Sequence, residues 1–316
     1  MIDILFTDTH FGWKNNSMTW LNSQMDFIYK QFIPTIKRLK TENPKSLVRV
    51  IHLGDVFDSR STISTLVATK VVEAFKNIRS VCDEFVIVCG NHDFYSPNSD
   101  EINTVSLFMN NLDIDIVYKD VLERDGHAYI PWYKWIDREN LDITEGYVFC
   151  HGDILNEKMP TWCIGRTIFS GHIHTPGEGP GLFNLGSCYS LNFADANSTR
   201  GFYVIKDGKV IFVPNEVSIR FHRIRGTDVL NIPDYFEEDY IELYVPQEDL
   251  SKQEYIDVIK EYSARYRHLW VIPVVSTVLN GETYQFEHYD ITTIIDELIP
   301  EDLKHLYKQV KNKLKL

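Results

Sequence analysis

The sequence predicts an α/β protein, on three observations. Up to about residue 215, short β-rich runs alternate with amphipathic stretches. Past about Glu216 a second, smaller α/β series begins, and from Asp290 onward the apolar residues follow a helical period. The 316 residues are 44% hydrophobic and 24% charged, a globular composition that excludes disordered and fibrous classes and suffices for one large or two ordinary domains. No apolar run approaches the ~20 residues that span a bilayer. The opening MIDILF has no basic region before it, so a secretory signal is not expected. Five scattered cysteines, odd in number, fit a reducing compartment and a cytoplasmic location.

Taken in order, strands are expected at Ile2–Phe6, Val48–Leu53, Phe85–Val88, Ala128–Ile130, Tyr147–Cys150 and Ile168–Ser170. A helical stripe of Leu21, Met25, Ile28, Phe32, Ile36 and Leu39 marks Met18–Lys40, with Pro34 expected to bend or interrupt it. A second helix is expected at Ser64–Ile78. Asp207-Gly208 between two β-branched and aromatic runs predicts a hairpin over Gly201–Val213. Further on come a strand at Tyr240–Val245, a helix opened by the capping box Ser251/Glu254, and an apolar strand at Leu269–Leu279. Ile291, Ile294, Ile295, Leu298 and Ile299 form one helical stripe before Pro300, and Leu303, Leu306, Val310 and Leu314 form another.

The chemistry lies in the loops after five of these strands. They read Thr7-Asp8-Thr9-His10, Gly54-Asp55-Val56-Phe57-Asp58, Gly90-Asn91-His92-Asp93, His151-Gly152 and Gly171-His172-Ile173-His174. In open α/β sheets ligands collect beyond the carboxyl ends of strands, so these loops can converge on one site. Carboxylate, imidazole and amide oxygen form a mixed donor set that suits Mn²⁺, Fe²⁺ or Zn²⁺ better than Ca²⁺. Seven ligands for two octahedral-like ions would require one shared group, and Asp55 is the natural carboxylate bridge. Such a pair suits in-line phosphoryl displacement.

As an ordered set, DxH, GDxxD, GNHD, HG and GHxH resemble the calcineurin-like metallophosphoesterase superfamily. The resemblance implies a β-sandwich flanked by helices (αββα) and two divalent metals, Mn²⁺ foremost, with Mg²⁺, Fe²⁺ or Zn²⁺ as alternatives. It implies one metal on Asp8, His10, Asp55 and His174, and the other on Asp55, Asn91, His151 and His172. His92 would be a general acid outside the ligand set. Asp58 and Asp93 would stand behind the ligands, Asp58 orienting a histidine. FTDTHFG, HLGDVFDSR, Ile130-Pro131-Trp132 and GSCYSLNFADANSTRGFYVI further resemble SbcD-type DNA-repair nucleases, among them the compact exonuclease subunits of T-even-like phages. That likeness implies a nuclease domain over residues 1–215, a capping domain over 216–288 and a helical segment over 289–316. It further implies that this last segment binds an SbcC-like ABC-type ATPase through residues 290–316, and that the chain forms a homodimer acting on DNA, in the host cytoplasm if phage-encoded. Thr7 and Thr9 replace residues usual around the first aspartate, a change expected to alter packing more than ligation.

Other residues admit plainer roles. Cys89 and Cys150 adjoin the motifs, but strand alternation turns Cys150 away from His151 and into a core. His52 reads as a buried neighbour. Arg220, Arg223 and Arg225 alternate with apolar residues and could contact DNA phosphates or line one solvated face of an edge strand. Trp132 and Trp135 could stack on bases or pack in the core. Three functions compete: a DNA nuclease, a phosphoesterase for a small nucleotide or phosphoprotein, and an idle scaffold for the ATPase. The net charge of −13 leans toward the second. Four charges from two bound ions offset that acidity at the site, and GDVFDSR with GNHD, an appended cap and an intact ligand set favour the nuclease.

Overall fold

The computed structural model describes residues 1–143, 146–279 and 282–286, with the backbone alone from residue 276 onward. The chain divides into two compact units between Arg220 and Phe221. In the first unit, Ile2–Phe6, Val48–His52, Glu84–Val88 and Asp115–Val117 lie side by side and parallel. The hairpin Gly201–Lys206/Lys209–Pro214 closes the other edge, its first strand antiparallel to Ile2–Phe6. Its turn is Asp207 and Gly208, both at positive φ (51° and 71°), the primed turn that a twisted hairpin needs.

A second six-stranded sheet is built around His127–Ile130, Tyr147–His151, Thr167–Gly171 and Leu182–Asn184, again mutually parallel. The alternation along these strands makes four layers. Ile2, Ile4, Phe6, Val50 and Phe85 turn outward onto Phe27, Phe32, Ile36, Val71 and Phe75 of the helices. Leu5, Ile51, Val86 and Val88 turn inward to meet Tyr129, Phe149 and Phe169 of the second sheet. The far face of that sheet, including Ile130, Val148, Cys150 and Ile168, packs under Trp135, Ile154 and Cys163. Central strands covered on both faces explain why Ile2–Phe6 and Val48–His52 are buried at every position.

Pro34 does not break the first long helix. Met18–Asp26 passes into a π-turn over Phe27–Phe32 and resumes as Ile33–Glu42. Proline has no N–H to return to the carbonyl four residues back, and widening the preceding turn absorbs the misfit. Thr65–Val81 forms the next helix, capped by the Ser64 side chain, which accepts from the Val67 N–H.

In the second unit, Phe221–Arg225, Tyr240–Pro246 and His268–Leu279 are parallel, and Glu282–Phe286 is antiparallel beside the last. The helix Gln253–Arg265 covers one face through Tyr255 and Tyr262 packed on Ile241, Leu243 and Val245. The expected capping box is absent: Lys252 caps the helix without a side-chain bond, and the Ser251 hydroxyl donates to the Glu248 carbonyl instead. The stripes over residues 290–316 lie outside the described residues. No described helix is long and apolar enough to cross a membrane.

The inner face of the second sheet carries a cross-strand ladder. Tyr129, Phe149, Phe169 and Phe183 are register partners in turn, their rings stacked 5.1–5.6 Å apart. Phe149 sits mid-ladder and is fully buried. Phe149→Ala is expected to destabilise the protein by about 3–5 kcal/mol in urea unfolding.

Candidate metal centre

Because the strands of each sheet that carry the motifs are parallel, all five motif loops leave from carboxyl ends. The loops turn hard there. Asp8 (φ 50°), His10 (φ 40°), Asp55 (φ 56°) and His172 (φ 89°) all adopt positive φ, which non-glycine residues avoid unless the surroundings impose it. Gly54, at φ 94°, has no room for a side chain: a Cβ would come within 2.4 Å of His151 Nδ1 and 2.7 Å of Gly90 Cα. Gly90 is bare for the same reason, since a Cβ would fall 2.3 Å from Asp55 Oδ1.

All seven sequence-predicted ligand residues come together, in two clusters. In one, His10 Nε2 lies 3.0 Å from His174 Nε2, 3.9 Å from Asp8 Oδ1 and 3.8 Å from Asp55 Oδ2. In the other, Asn91 Oδ1 lies 3.1 Å from His151 Nε2 and 2.9 Å from His172 Nδ1, with Asp55 Oδ2 3.4 Å from His151 Nε2. The same oxygen of Asp55 faces both. The groups Asp8–His10–His174 and Asp55–His151–His172 each place ligand atoms within 4.8 Å of one another and could hold a divalent ion. The chemistry of the donors fits one. Leu53 O, which only accepts, receives a hydrogen bond from His151 Nδ1 at 2.6 Å, which fixes the ring with Nε2 turned into the cluster.

The surroundings hold these groups in place. Asp93, fully buried, accepts the backbone N–H of Gly90, Asp55 and Val56, tying the second loop to the third. Thr7 Oγ1 donates to Asp8 Oδ2 at 2.8 Å, so this threonine reaches a ligand carboxylate directly, beyond the packing role expected of it. Asp58 Oδ1 stands 3.6 Å from His10 Nδ1, an ion-pair distance longer than a hydrogen bond. Asp58 also acts through its backbone, whose carbonyl accepts from His92 Nδ1 at 2.6 Å. The His92 N–H in turn donates to Asp55 Oδ1 at 2.8 Å.

The charges are tightly coupled. Burial opposes the ionised form of Asp55, but His151, His10 and His92 outweigh it and hold the carboxyl well below its usual range. Burial likewise opposes a charge on His151, yet Asp55 lifts it to about 9. Burial, reinforced by the Asp55 charge, pushes Asp93 up to about 7 against its backbone donors. His52 is driven down to about 3 by burial and by His151; it sits against Thr9 Oγ1 and accepts from the Gly54 N–H, a buried neighbour and no ligand.

Several supporting residues carry no motif. Gln24 Nε2 donates to the Thr9 and His10 carbonyls, Tyr189 Oη donates to the Thr9 carbonyl, and Ser187 N donates to the His174 carbonyl. Their signal is tertiary, apart from the position of Ser187 and Tyr189 in the GSCYSLNF stretch. Trp135 is core: it is nearly sealed and fills the space where a Cβ on Gly152 would lie. Arg220, Arg223 and Arg225 stand outside the clusters. Arg223 pairs with Glu242 at 2.8 Å on the edge strand, Arg225 lies over the Tyr244 ring, and Arg220 donates to the Asn215 carbonyl. Among the described residues all five cysteines are free and buried, Cys150 in the core behind the second sheet.

The calcineurin-like phosphoesterase family model matches residues 4–176, more than half the chain, and the chain belongs to that family. Membership implies divalent-metal binding and phosphoester hydrolysis, and the Asp/His clusters could bind such metals. The chain is 24% identical to exonuclease subunit 1 of Enterobacteria phage T4 over 242 residues, 68% of each chain. Among solved structures it is similar to a protein of unknown function from Aquifex aeolicus, at 17% identity and a TM-score of 0.28, covering 56% of this chain and 82% of that one. It is also similar to the nuclease MPE of Pseudomonas putida, at 16% identity and a TM-score of 0.30, covering 67% and 87%.

Gly54→Ala tests the crossing of the second and third loops. It should lower stability by at least the roughly 1–3 kcal/mol of a strained backbone and abolish Mn²⁺ binding in titration calorimetry.

Proposed function

We propose that the chain is a DNA nuclease that hydrolyses phosphodiester bonds with two divalent ions, most readily Mn²⁺, and is the small subunit of an SbcCD-like nuclease–ATPase complex in DNA repair, recombination or replication. The observation that carries this is Asp55 Oδ2, which faces both clusters at 3.4–3.8 Å. Asp8, His10, Asp55 and His174 would hold one ion, and Asp55, Asn91, His151 and His172 the other. Bound there, the ions would supply positive charge and Lewis acidity to the phosphoryl group and lower the pKa of water. DNA as substrate is supported by the likeness to a phage exonuclease subunit.

The residues of the chain do the rest. The Leu53 carbonyl and Thr7 hydroxyl hold His151 and Asp8 in register, so the ligand atoms need not reorganise when substrate arrives. His92 is fixed on both sides, by its N–H on Asp55 and its Nδ1 on the Asp58 carbonyl, which leaves Nε2 as the working atom. In its protonated form that nitrogen would donate to the departing 3′ oxygen. Asp93 stays behind the ligands, on backbone N–H groups. Arg220, Arg223 and Arg225 could add phosphate contacts only by sharing or leaving their present partners. Residues 216–288 would cap the nuclease domain, residues 290–316 would dock the SbcC-like ATPase, and that partner would supply much of the DNA affinity an acidic chain lacks.

Digestion of linear duplex and single-stranded DNA with Mn²⁺ tests the reading, beside hydrolysis of bis-p-nitrophenyl phosphate. Asp55→Ala should lose both activities, and His92→Ala should lose about 10²–10⁴-fold in turnover while still binding Mn²⁺. Hydrolysis of the small ester with no DNA cleavage, at low salt and with the ATPase added, points to a small-substrate phosphodiesterase instead. Deleting residues 290–316 should leave Mn²⁺-dependent cleavage but abolish ATPase co-purification; retained co-purification sinks the partner assignment.

A further inference from the structure

The aromatic side chains that pack the ligand loops are nearly all sealed. Phe11, Phe57 and Phe94 are fully buried, and Trp135 and Tyr189 almost so. Two indoles differ. Trp13 and Trp132 pack against the same core but stay only partly buried. Each stands at a different cluster. The Trp13 ring centre is 6.2 Å from that of His10, while Trp132 lies 4.8 Å from His172 and 6.0 Å from His151.

Hydrogen bonds anchor the Trp13 indole and the backbone of both residues. Trp13 Nε1 donates to the Leu191 carbonyl at 2.9 Å, and its backbone N–H to the His10 carbonyl at 3.1 Å. Directly after it Lys14, Asn15 and Asn16 run at φ 51°, 57° and 61°, three successive left-handed residues with side chains. Such conformations persist only where the surroundings impose them, and here Asn16 Oδ1 accepts from the Ser64 N–H at 2.9 Å. Trp132 follows Pro131 and donates its N–H to the Cys89 carbonyl at 3.0 Å, at the root of the Gly90-Asn91-His92-Asp93 loop. A core aromatic would need neither the strained turn beside Trp13 nor the open part of surface that both indoles keep.

We infer that Trp13 and Trp132 are the stacking walls for the two nucleosides flanking the scissile phosphate, Trp13 at the Asp8–His10–His174 cluster and Trp132 at the Asn91–His151–His172 cluster. The inference rests on the proposed DNA substrate. A phosphodiester has two nucleoside arms, and the clusters share one carboxylate oxygen and carry one accessible indole each. Indole faces stack on any base, so these walls bind nucleosides without selecting sequence. They are specificity-determining residues, separating a nucleic-acid substrate from a bare phosphodiester.

The experiment compares a DNA oligonucleotide with one carrying abasic residues on both sides of the bond that the wild type cuts. Trp13→Ala and Trp132→Ala should each lower the ratio of kcat/KM for normal over abasic DNA by about 5- to 150-fold, the range for losing one base–aromatic stack. Trp13→Phe and Trp132→Phe should restore most of that ratio. Equal losses on both substrates, with weaker Mn²⁺ binding by calorimetry, would overturn the inference, because each indole would then merely position its histidine. An unchanged ratio overturns it as well. A wild type that cuts neither DNA removes the nuclease reading itself.

Discussion

A carboxylate stripped of water costs several kcal/mol unless other groups replace its hydration, and Asp55 is all but fully buried. Its replacements come from three loops. The His92 N–H takes Oδ1, His10 and His151 face Oδ2, and its own backbone N–H is held by Asp93. Three of these partners are themselves tied down: His151 by the Leu53 carbonyl, His92 by the Asp58 carbonyl, Asp93 by Gly90 and Val56. The charge therefore acts as the hub through which both sheets of the sandwich meet. A pair of divalent cations would add to the charge that the imidazoles already set against it.

That hub also explains where strain is stored. Asp8, His10, Asp55 and His172 all hold positive φ, and the chain crosses so closely at Gly54 and Gly90 that neither can bear a side chain. Roughly 1–3 kcal/mol per such residue is tolerable because the loops spring from strands locked by parallel ladders and by two continuous cores. The aromatic ladder Tyr129–Phe149–Phe169–Phe183 stiffens the very strands that deliver His151 and His172. Packing far from the ligands thus sets how accurately they are placed.

The motif residues were legible in the sequence because each chemical requirement leaves a local trace. A strand must end, a glycine must let the chain cross, and an aspartate or histidine must follow at once. The alternation of the strands also separated Cys150, which went to the core, from His151, which went to the cluster. Less was legible where the functional atom belongs to the backbone. The carbonyls of Leu53 and Asp58, which orient His151 and His92, leave no mark on residue identity. Gln24 and Tyr189 likewise reach the first motif loop from 15 and 180 residues away.

Local patterning by itself determined the α/β class, the strand series, the hairpin turn and the five motif loops, since each depends on neighbours within a few positions, while the choice of seven ligands among the loop residues came from the family resemblance. The patterning erred at the capping box, where Ser251 bonded to a carbonyl instead of capping, while the interruption expected near Pro34 takes the form of a π-turn in a helix that then resumes. Only the tertiary structure decided that Asp55 turns one oxygen to both clusters, that His172 presents Nδ1 where His10, His151 and His174 present Nε2, and that four of the seven ligand residues hold positive φ. Those outcomes depend on which surfaces meet across the sandwich, and contact between distant segments has no signature in the spacing of either one alone.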